Sequence, residues 1–166
     1  MTRLLRSPNF WLPNRALLVV ISFMIAAGVV SAQTTRKPAG PVEEEPVFHE
    51  YRGVKLGWLA DDVRKKLGNP AAKSDEQDYY LFNNEKERAQ IYYDKATRQV
   101  TAISVDFMTG APEMITPQQV FGGEVEAKAD GSQSKLVRYP KAGCWVSYSR
   151  TAGDSPIVSV TIQKLP

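Results

Sequence analysis

The residues best suited to chemistry in this chain are its only cysteine, Cys144, and its only histidine, His49. A cysteine becomes a nucleophile when a neighbouring base converts the thiol to the thiolate, and histidine commonly serves as that base. Cys144 lies in the run GCWVSY and His49 in the run FHEY, and nothing in their spacing pairs them. A small envelope enzyme or ligand carrier centred on Cys144 and His49 is therefore kept as the alternative function.

Other motifs with catalytic or metal-binding chemistry are missing from the sequence. It contains no glycine-rich phosphate loop, no HExxH zinc motif, no paired CxxC and no GxSxG nucleophile motif. The acidic residues near Asp75 and Asp78 do not follow the spacing of an EF-hand. We expect no catalytic residue, no cofactor and no metal site, and therefore a function other than catalysis.

The first residues have the pattern of an export signal. Arg3, Arg6 and Arg15 precede the apolar run Ala16–Val30, and Ala32 follows as the last residue of a small-residue cleavage site. This run of about 15 residues is shorter than the roughly 20 that cross a hydrocarbon core. The sequence predicts a cleaved signal peptide at residues 1–32, no membrane span after cleavage, and a periplasmic or secreted protein.

Charge argues against a nucleic-acid partner. The precursor has a sequence pI of about 9.0, but three of its 21 basic residues lie in the signal, which leaves 18 to balance the 18 acidic ones. A neutral mature chain lacks the excess of positive charge that phosphate binding requires. Residues 33–47 are rich in proline and contain an acidic run, so they are expected to form a flexible linker.

The remaining chain contains one clear helix signal and several strand signals. Leu59, Val63 and Leu67 recur every four residues within the segment 53–70, which predicts a short helix that ends near Gly68. Three segments rich in aromatic and β-branched residues follow and predict strands. Their sequences are DYYLF (78–82), AQIYY (89–93) and VTAISVDF (100–107).

The second half repeats this pattern about 55 residues later, with Thr116 and Pro117 as the start of a second helix. The repeat predicts an α+β fold of two tandem units, each a helix plus a three-stranded antiparallel meander. The units are expected at residues 48–109 and 110–166, with both helices on one side of a shared sheet.

The repeat also predicts which side chains face the helices. It aligns Cys144 with Ala89, so Cys144 is expected to point into the core as a small apolar residue. The neighbouring positions of these strands would then lie on the exposed face of the sheet. Aromatic and polar side chains of this kind are favoured in protein interfaces. The predicted protein-binding residues are Trp145, Tyr92, Ser147 and Gln90.

Two stretches resemble a known group of proteins. The run GVKLGWLADDVRKKLGNP, followed by a tyrosine-rich strand and IYYDKATRQVTAISVDF, resembles the small outer-membrane assembly lipoproteins of the SmpA/OmlA (BamE) family and the β-lactamase inhibitor protein-like fold. The resemblance implies a tandem helix-and-sheet protein that binds other proteins in the cell envelope without a cofactor. The chain departs from these groups because it has no lipid-attachment cysteine after its signal and no disulfide pair. The sequence thus predicts an exported, non-enzymatic protein-binding module whose partner is a protein.

Overall fold

The computed structural model describes residues 45–166, all of which belong to one compact unit. The predicted signal peptide and most of the predicted linker lie outside the described residues. The described chain forms nine strands and two helical segments. In chain order these are β1 (Glu50–Tyr51), β2 (Val54–Lys55), α1 (Ala60–Leu67), β3 (Ala72–Lys73), β4 (Gln77–Phe82), β5 (Glu87–Tyr93), β6 (Val100–Phe107), α2 (Pro117–Phe121), β7 (Gln133–Tyr139), β8 (Cys144–Arg150) and β9 (Val158–Lys164).

Seven of the strands form one antiparallel sheet in the order β3-β4-β5-β6-β9-β8-β7, and β1 pairs with β2 in a separate hairpin. β6 and β9 pair near the middle of the sheet, where Ile103 lies opposite Ile162 and Val105 opposite Val160. These four β-branched side chains are fully or almost fully buried, an environment that favours such residues in strands. The halves of the chain are thereby joined through a continuous ladder of hydrogen bonds.

The predicted fold class, two tandem helix plus three-stranded units, is wrong. The structure is mostly a seven-stranded antiparallel sheet with one short helix, α1, of eight residues. The second helical segment, α2, has only five residues, which is little more than one turn. Thr116 caps it as its sequence predicts, but Gly122 adopts a left-handed conformation (φ 71°) and ends it at once. The segment is therefore too short to serve as the helix of a second unit.

The helix α1 lies within the segment where the leucine and valine stripe predicts it. Val63 is fully buried, whereas Leu59 precedes the helix and is 48% exposed. Ala60 takes the buried position at the first turn instead. Gly68 ends the helix with a positive φ of 88° and donates its N–H to the carbonyl oxygen of Arg64 at 2.9 Å.

An ion pair ties α1 to the sheet. The guanidinium of Arg64 donates two hydrogen bonds to the carboxylate of Asp78, Nε to Oδ2 at 2.8 Å and Nη2 to Oδ1 at 2.9 Å. The hydroxyl of Tyr93 donates a third at 2.8 Å, and the Asp78 side chain is 0% exposed. The other charged residues of α1 are exposed, whereas Arg64 is partly buried because it compensates a buried acid.

The hydrophobic core lies on one face of the sheet. Alternate residues of β5, β6, β8 and β9 point toward it and pack against Val63 of α1 and Val120 of α2. As predicted, Cys144 is on this face with Ala89, and it is 2% exposed. The intervening residues of these strands do not belong to the core cluster. The other core-facing residues of β5, β8 and β9 are Ile91, Tyr93, Val146, Tyr148, Val158, Val160 and Ile162.

A β-bulge in β6 interrupts the alternation that its sequence predicts. Simple alternation places Thr101 on the core face, but Tyr92 pairs with Ala102 and Tyr93 pairs with Val100, so Thr101 is the extra residue. Val100 therefore points into the core and is 0% exposed. The hydroxyl of Thr101 donates to the carbonyl oxygen of Tyr92 at 3.3 Å. Ala102 pairs with Tyr92 and therefore lies on the face opposite the core.

Candidate functional site

The candidate site is the face of the sheet that lies opposite the core, which we call the open face. No described helix packs over it, because both helical segments contribute their buried residues to the core side. Strand alternation and the register of pairing assign its members. They are Gln77, Tyr79, Leu81, Arg88, Gln90, Tyr92, Ala102, Ser104, Asp106, Ser159, Thr161, Gln163, Trp145, Ser147, Ser149, Ser134, Leu136 and Arg138.

All four predicted binding residues lie on the open face, in two neighbouring rows across the sheet. Tyr92 pairs with Ala102, which pairs with Gln163, which pairs with Trp145. In the next row the cross-strand pairs connect Gln90 to Ser147 through Ser104 and Thr161. The structure thus brings together residues from β5 and β8 that are far apart in the sequence.

Hydrogen bonds hold several polar side chains of the open face in place. The hydroxyl of Tyr92 donates to Oε1 of Gln90 at 2.6 Å, and Nε2 of Gln77 donates to the same oxygen at 3.1 Å. The hydroxyls of Ser104 and Thr161 lie 2.9 Å apart across β6 and β9. These hydrogen bonds fix the positions of polar groups on the open face.

A depression in the open face lies beside Tyr92. Its volume is about 440 Å³, and its lining includes Ala102, Ser104, Thr161 and Gln163. Ala102 is only 6% exposed, so its small side chain forms part of a floor below larger neighbours. These residues were not among the predicted binding residues. The sequence does contain a signal for this depression, because alternation along β6 puts a small side chain, Ala102, on the open face in the middle of the sheet.

Trp145 is partly buried on the open face, and its cross-strand neighbour on β7 is Arg138. Leu136, also on β7, is 55% exposed, and Tyr92 is 36% exposed. Tyr80 and Tyr139 do not belong to this patch, because both are buried on the core face. The aromatic side chains of the open face are Tyr79, Tyr92 and Trp145.

The alternative centre also has a structural counterpart. Cys144 and His49 line the same cavity of about 270 Å³, together with Lys55. The thiol is almost completely buried, and burial raises its pKa. Nδ1 of His49 lies 3.0 Å from the carbonyl oxygen of Val47. The two side chains thus share a cavity, but the environment of Cys144 favours the thiol rather than the thiolate.

A second polar cluster surrounds Glu87 in a cavity of about 500 Å³. Its carboxylate accepts hydrogen bonds from the Tyr51 hydroxyl at 2.6 Å, from Nε and Nη2 of Arg52 at 3.2 and 2.7 Å, and from Nδ2 of Asn83 at 2.6 Å. Burial raises the pKa of Glu87, but these hydrogen bonds outweigh burial and lower the pKa overall. Four donors occupy its acceptor sites, so this carboxylate is placed for structure rather than proton transfer.

Within residues 45–166 no three histidine, cysteine, aspartate or glutamate side chains converge as metal ligands would. No helix in the same region is long and apolar enough to cross a bilayer.

Comparison with known proteins returned no match: no protein-family model, no curated protein and no solved structure matches the chain. The resemblance to the SmpA/OmlA (BamE) family and to the β-lactamase inhibitor protein-like fold therefore stays a prediction from sequence.

Proposed function

We propose that the chain is an exported, non-enzymatic protein-binding module of the cell envelope, and that a protein partner docks on the open face. The observation that carries the proposal is the placement of Trp145, Tyr92, Ser147 and Gln90 in two adjacent rows of a sheet face that no described helix covers. Export to the periplasm or out of the cell follows from the sequence of residues 1–32.

The composition of the open face supports a protein partner. Tyrosine and tryptophan bury large areas at a small entropy cost, and they are enriched among the residues that dominate binding energy. Around Tyr92 and Trp145 the face presents hydroxyl and amide groups, which form hydrogen bonds with many backbones. Its charged members are only Arg88, Asp106 and Arg138. A low density of charge at the centre of a patch is typical of protein interfaces.

The size of the open face is also suitable. Six full-length strands spaced about 4.8 Å apart, each rising about 3.3 Å per residue, give a projected area on the order of 500 Å². Side-chain relief increases the accessible area above this value. A typical specific interface buries about 800 Å² on each partner, so the open face provides most of one such surface.

The proposal can be tested by affinity capture from an envelope extract of the source organism with three forms of the protein. The wild type and Leu59→Ala should retain the same partner, because Leu59 is exposed beside α1 and away from the open face. Trp145→Ala should lose that partner while its melting temperature stays near that of the wild type. Equal capture by wild type and Trp145→Ala would refute docking on the open face.

A second candidate is a small enzyme or ligand carrier that uses the cavity shared by Cys144 and His49. Its test is the rate at which the native thiol reacts with a maleimide or a disulfide reagent. This candidate would be favoured if Cys144 is labelled rapidly at neutral pH and if that rapid labelling is lost when His49 is replaced by alanine. We expect labelling on the order of a hundredfold slower than in denaturant, because the buried thiol must await local opening.

A further inference from the structure

The two edges of the sheet differ. The edge at β4 is covered by β3, and Ser74 N donates to Gln77 O at 2.7 Å while Ala71 N donates to Tyr79 O at 2.8 Å. At the other edge, the described residues pair with the backbone of β7 on its outer side through one bridge, from Ala127 to Gln133, at the start of the strand. Beyond that bridge, no strand of the described chain pairs with the outer side of β7. An edge strand with unpaired N–H and C=O groups is a template for a further strand.

The register shows which backbone groups point outward from β7. Leu165 N donates to Gly143 O at 2.8 Å, and Thr151 N donates to Ile157 O at 3.0 Å. Both bonds extend the β8–β9 ladder, so the odd-numbered residues of β8 bond to β9 and the even-numbered ones bond to β7. The even-numbered residues Cys144, Val146 and Tyr148 pair with Tyr139, Val137 and Lys135.

It follows that the N–H and C=O groups of Leu136 and Arg138 point away from β8, toward the free edge. Their side chains lie on the open face, opposite Ser147 and Trp145 on β8. Leu136 is 55% exposed. A strand added at this edge would therefore bond to the backbone of Leu136 and place its own side chains beside the row that contains Trp145.

Charge along β7 indicates the chemistry of the added strand. Its sequence QSKLVRY contains Lys135 and Arg138 and no acid. Nζ of Lys135 lies 4.6 Å from the centre of the Phe121 ring on the core side, while Arg138 is exposed on the open face. We propose that β7 accepts an extended segment of a protein partner as an eighth strand, in which apolar residues alternate with acidic ones. The proposal rests on the proposed function, because it supplies a second contact for the same partner.

A partner segment fits this edge better than a second copy of the chain. Pairing two β7 strands would bring together two copies of Lys135 and of Arg138, with no carboxylate from either strand. Such a pair has no opposite-charge contact across the strands to stabilise it, because the charged residues of β7 are both cationic. An acidic segment instead gains an opposite-charge pair with Arg138 when its acidic side chains lie on the open face, because Lys135 lies on the other face of the sheet.

The test uses the full chain and two synthetic eight-residue peptides, one of alternating valine and glutamate and one of alternating valine and lysine. We expect the acidic peptide to bind about fivefold or more tightly than the basic one, as measured by fluorescence anisotropy. Leu136→Pro should abolish this binding because it removes an outward N–H, and the β7–β8 ladder does not use that N–H. Leu136→Thr, the matched control, keeps the N–H and should keep binding.

If Leu136→Pro fails to fold, Arg138→Glu provides the second variant, and it should reverse or erase the preference for the acidic peptide. The proposal is overturned if neither peptide binds, if Leu136→Pro still binds the acidic peptide, or if β7 instead forms a dimer that Leu136→Pro abolishes. Strand addition at β7 and docking on the open face can be refuted separately. A partner that is lost from Trp145→Ala but retained by Leu136→Pro would support the open face and overturn the edge.

Discussion

Tyr92 and Trp145 lie in the same row of the sheet, three strand spacings apart, with Ala102 and Gln163 between them. At about 4.8 Å per strand their backbones are separated by roughly 14 Å. A depression of about 440 Å³ lies beside Tyr92 and includes both intervening residues in its lining. Tyr92 thus borders a depression whose floor includes a small residue, and Trp145 lies one strand beyond Gln163, which lines the depression on that side.

The alternation along β8 predicts a sharp contrast between neighbouring substitutions. Val146 is 0% exposed in the core, whereas Trp145 is partly exposed on the open face. Val146→Ala should lower the free energy of unfolding by about 2 kcal/mol, through lost burial and the cavity left behind. Trp145→Ala should lower it by about 1 kcal/mol or less. Urea unfolding of both variants checks this, and a larger loss for Trp145→Ala would mean that Trp145 is a core residue.

The ion pair between Arg64 and Asp78 should be essential for stability. Removal of Arg64 leaves a fully buried carboxylate whose remaining hydrogen bond comes from Tyr93. Arg64→Leu should therefore lower the free energy of unfolding by about 3–5 kcal/mol. Lys65→Leu, one residue along α1 and exposed, is the matched control and should change it by less than about 0.5 kcal/mol. Equal effects of the two variants in chemical denaturation would show that the pair does not hold α1 on the sheet.

Glu87 should make stability depend on acid pH. Because its folded-state pKa is lowered, its ionised form contributes stability that is complete above about pH 4.3, the ordinary glutamate pKa. That contribution is lost as the pH falls through the lower folded-state pKa. Glu87→Gln should cost about 1–3 kcal/mol at neutral pH, and the difference from wild type should narrow in acid. Denaturation curves from pH 7 to pH 2 measure this, and a difference independent of pH would contradict it.

Residue patterns within one strand or helix predicted more of this structure than the repeat that relates the two halves of the sequence. The alternating run 100–107 coincides with β6, and the valine at position 63 marks the buried side of α1, because a strand or helix that buries one face repeats its apolar residues at a fixed period. The same reasoning placed Trp145 and Tyr92 on one face of a sheet. It overestimated α2, where a strong N-terminal cap at Thr116 is followed after one turn by a left-handed glycine.

Features that depend on contacts between distant segments were not predictable in this way. The two-residue strands β1, β2 and β3 are too short to show a period. The partner of Arg64 lies 14 residues along the chain, and the bulge at Thr101 is visible only in the pairing of β5 with β6. The depression above Ala102 likewise forms only when β6 and β9 pair.

Site-specific photo-crosslinking tests the docking surface most directly. A photoreactive phenylalanine analogue is placed at Tyr92 on the open face or, as the matched control, at Leu59 beside α1, which is also exposed. The two proteins are then irradiated in an envelope extract of the source organism. We predict a discrete covalent adduct with one protein from position 92, absent from position 59 and lost when Trp145→Ala is added. Adducts from position 59 alone, or an adduct from position 92 that persists with Trp145→Ala, would contradict docking on the open face.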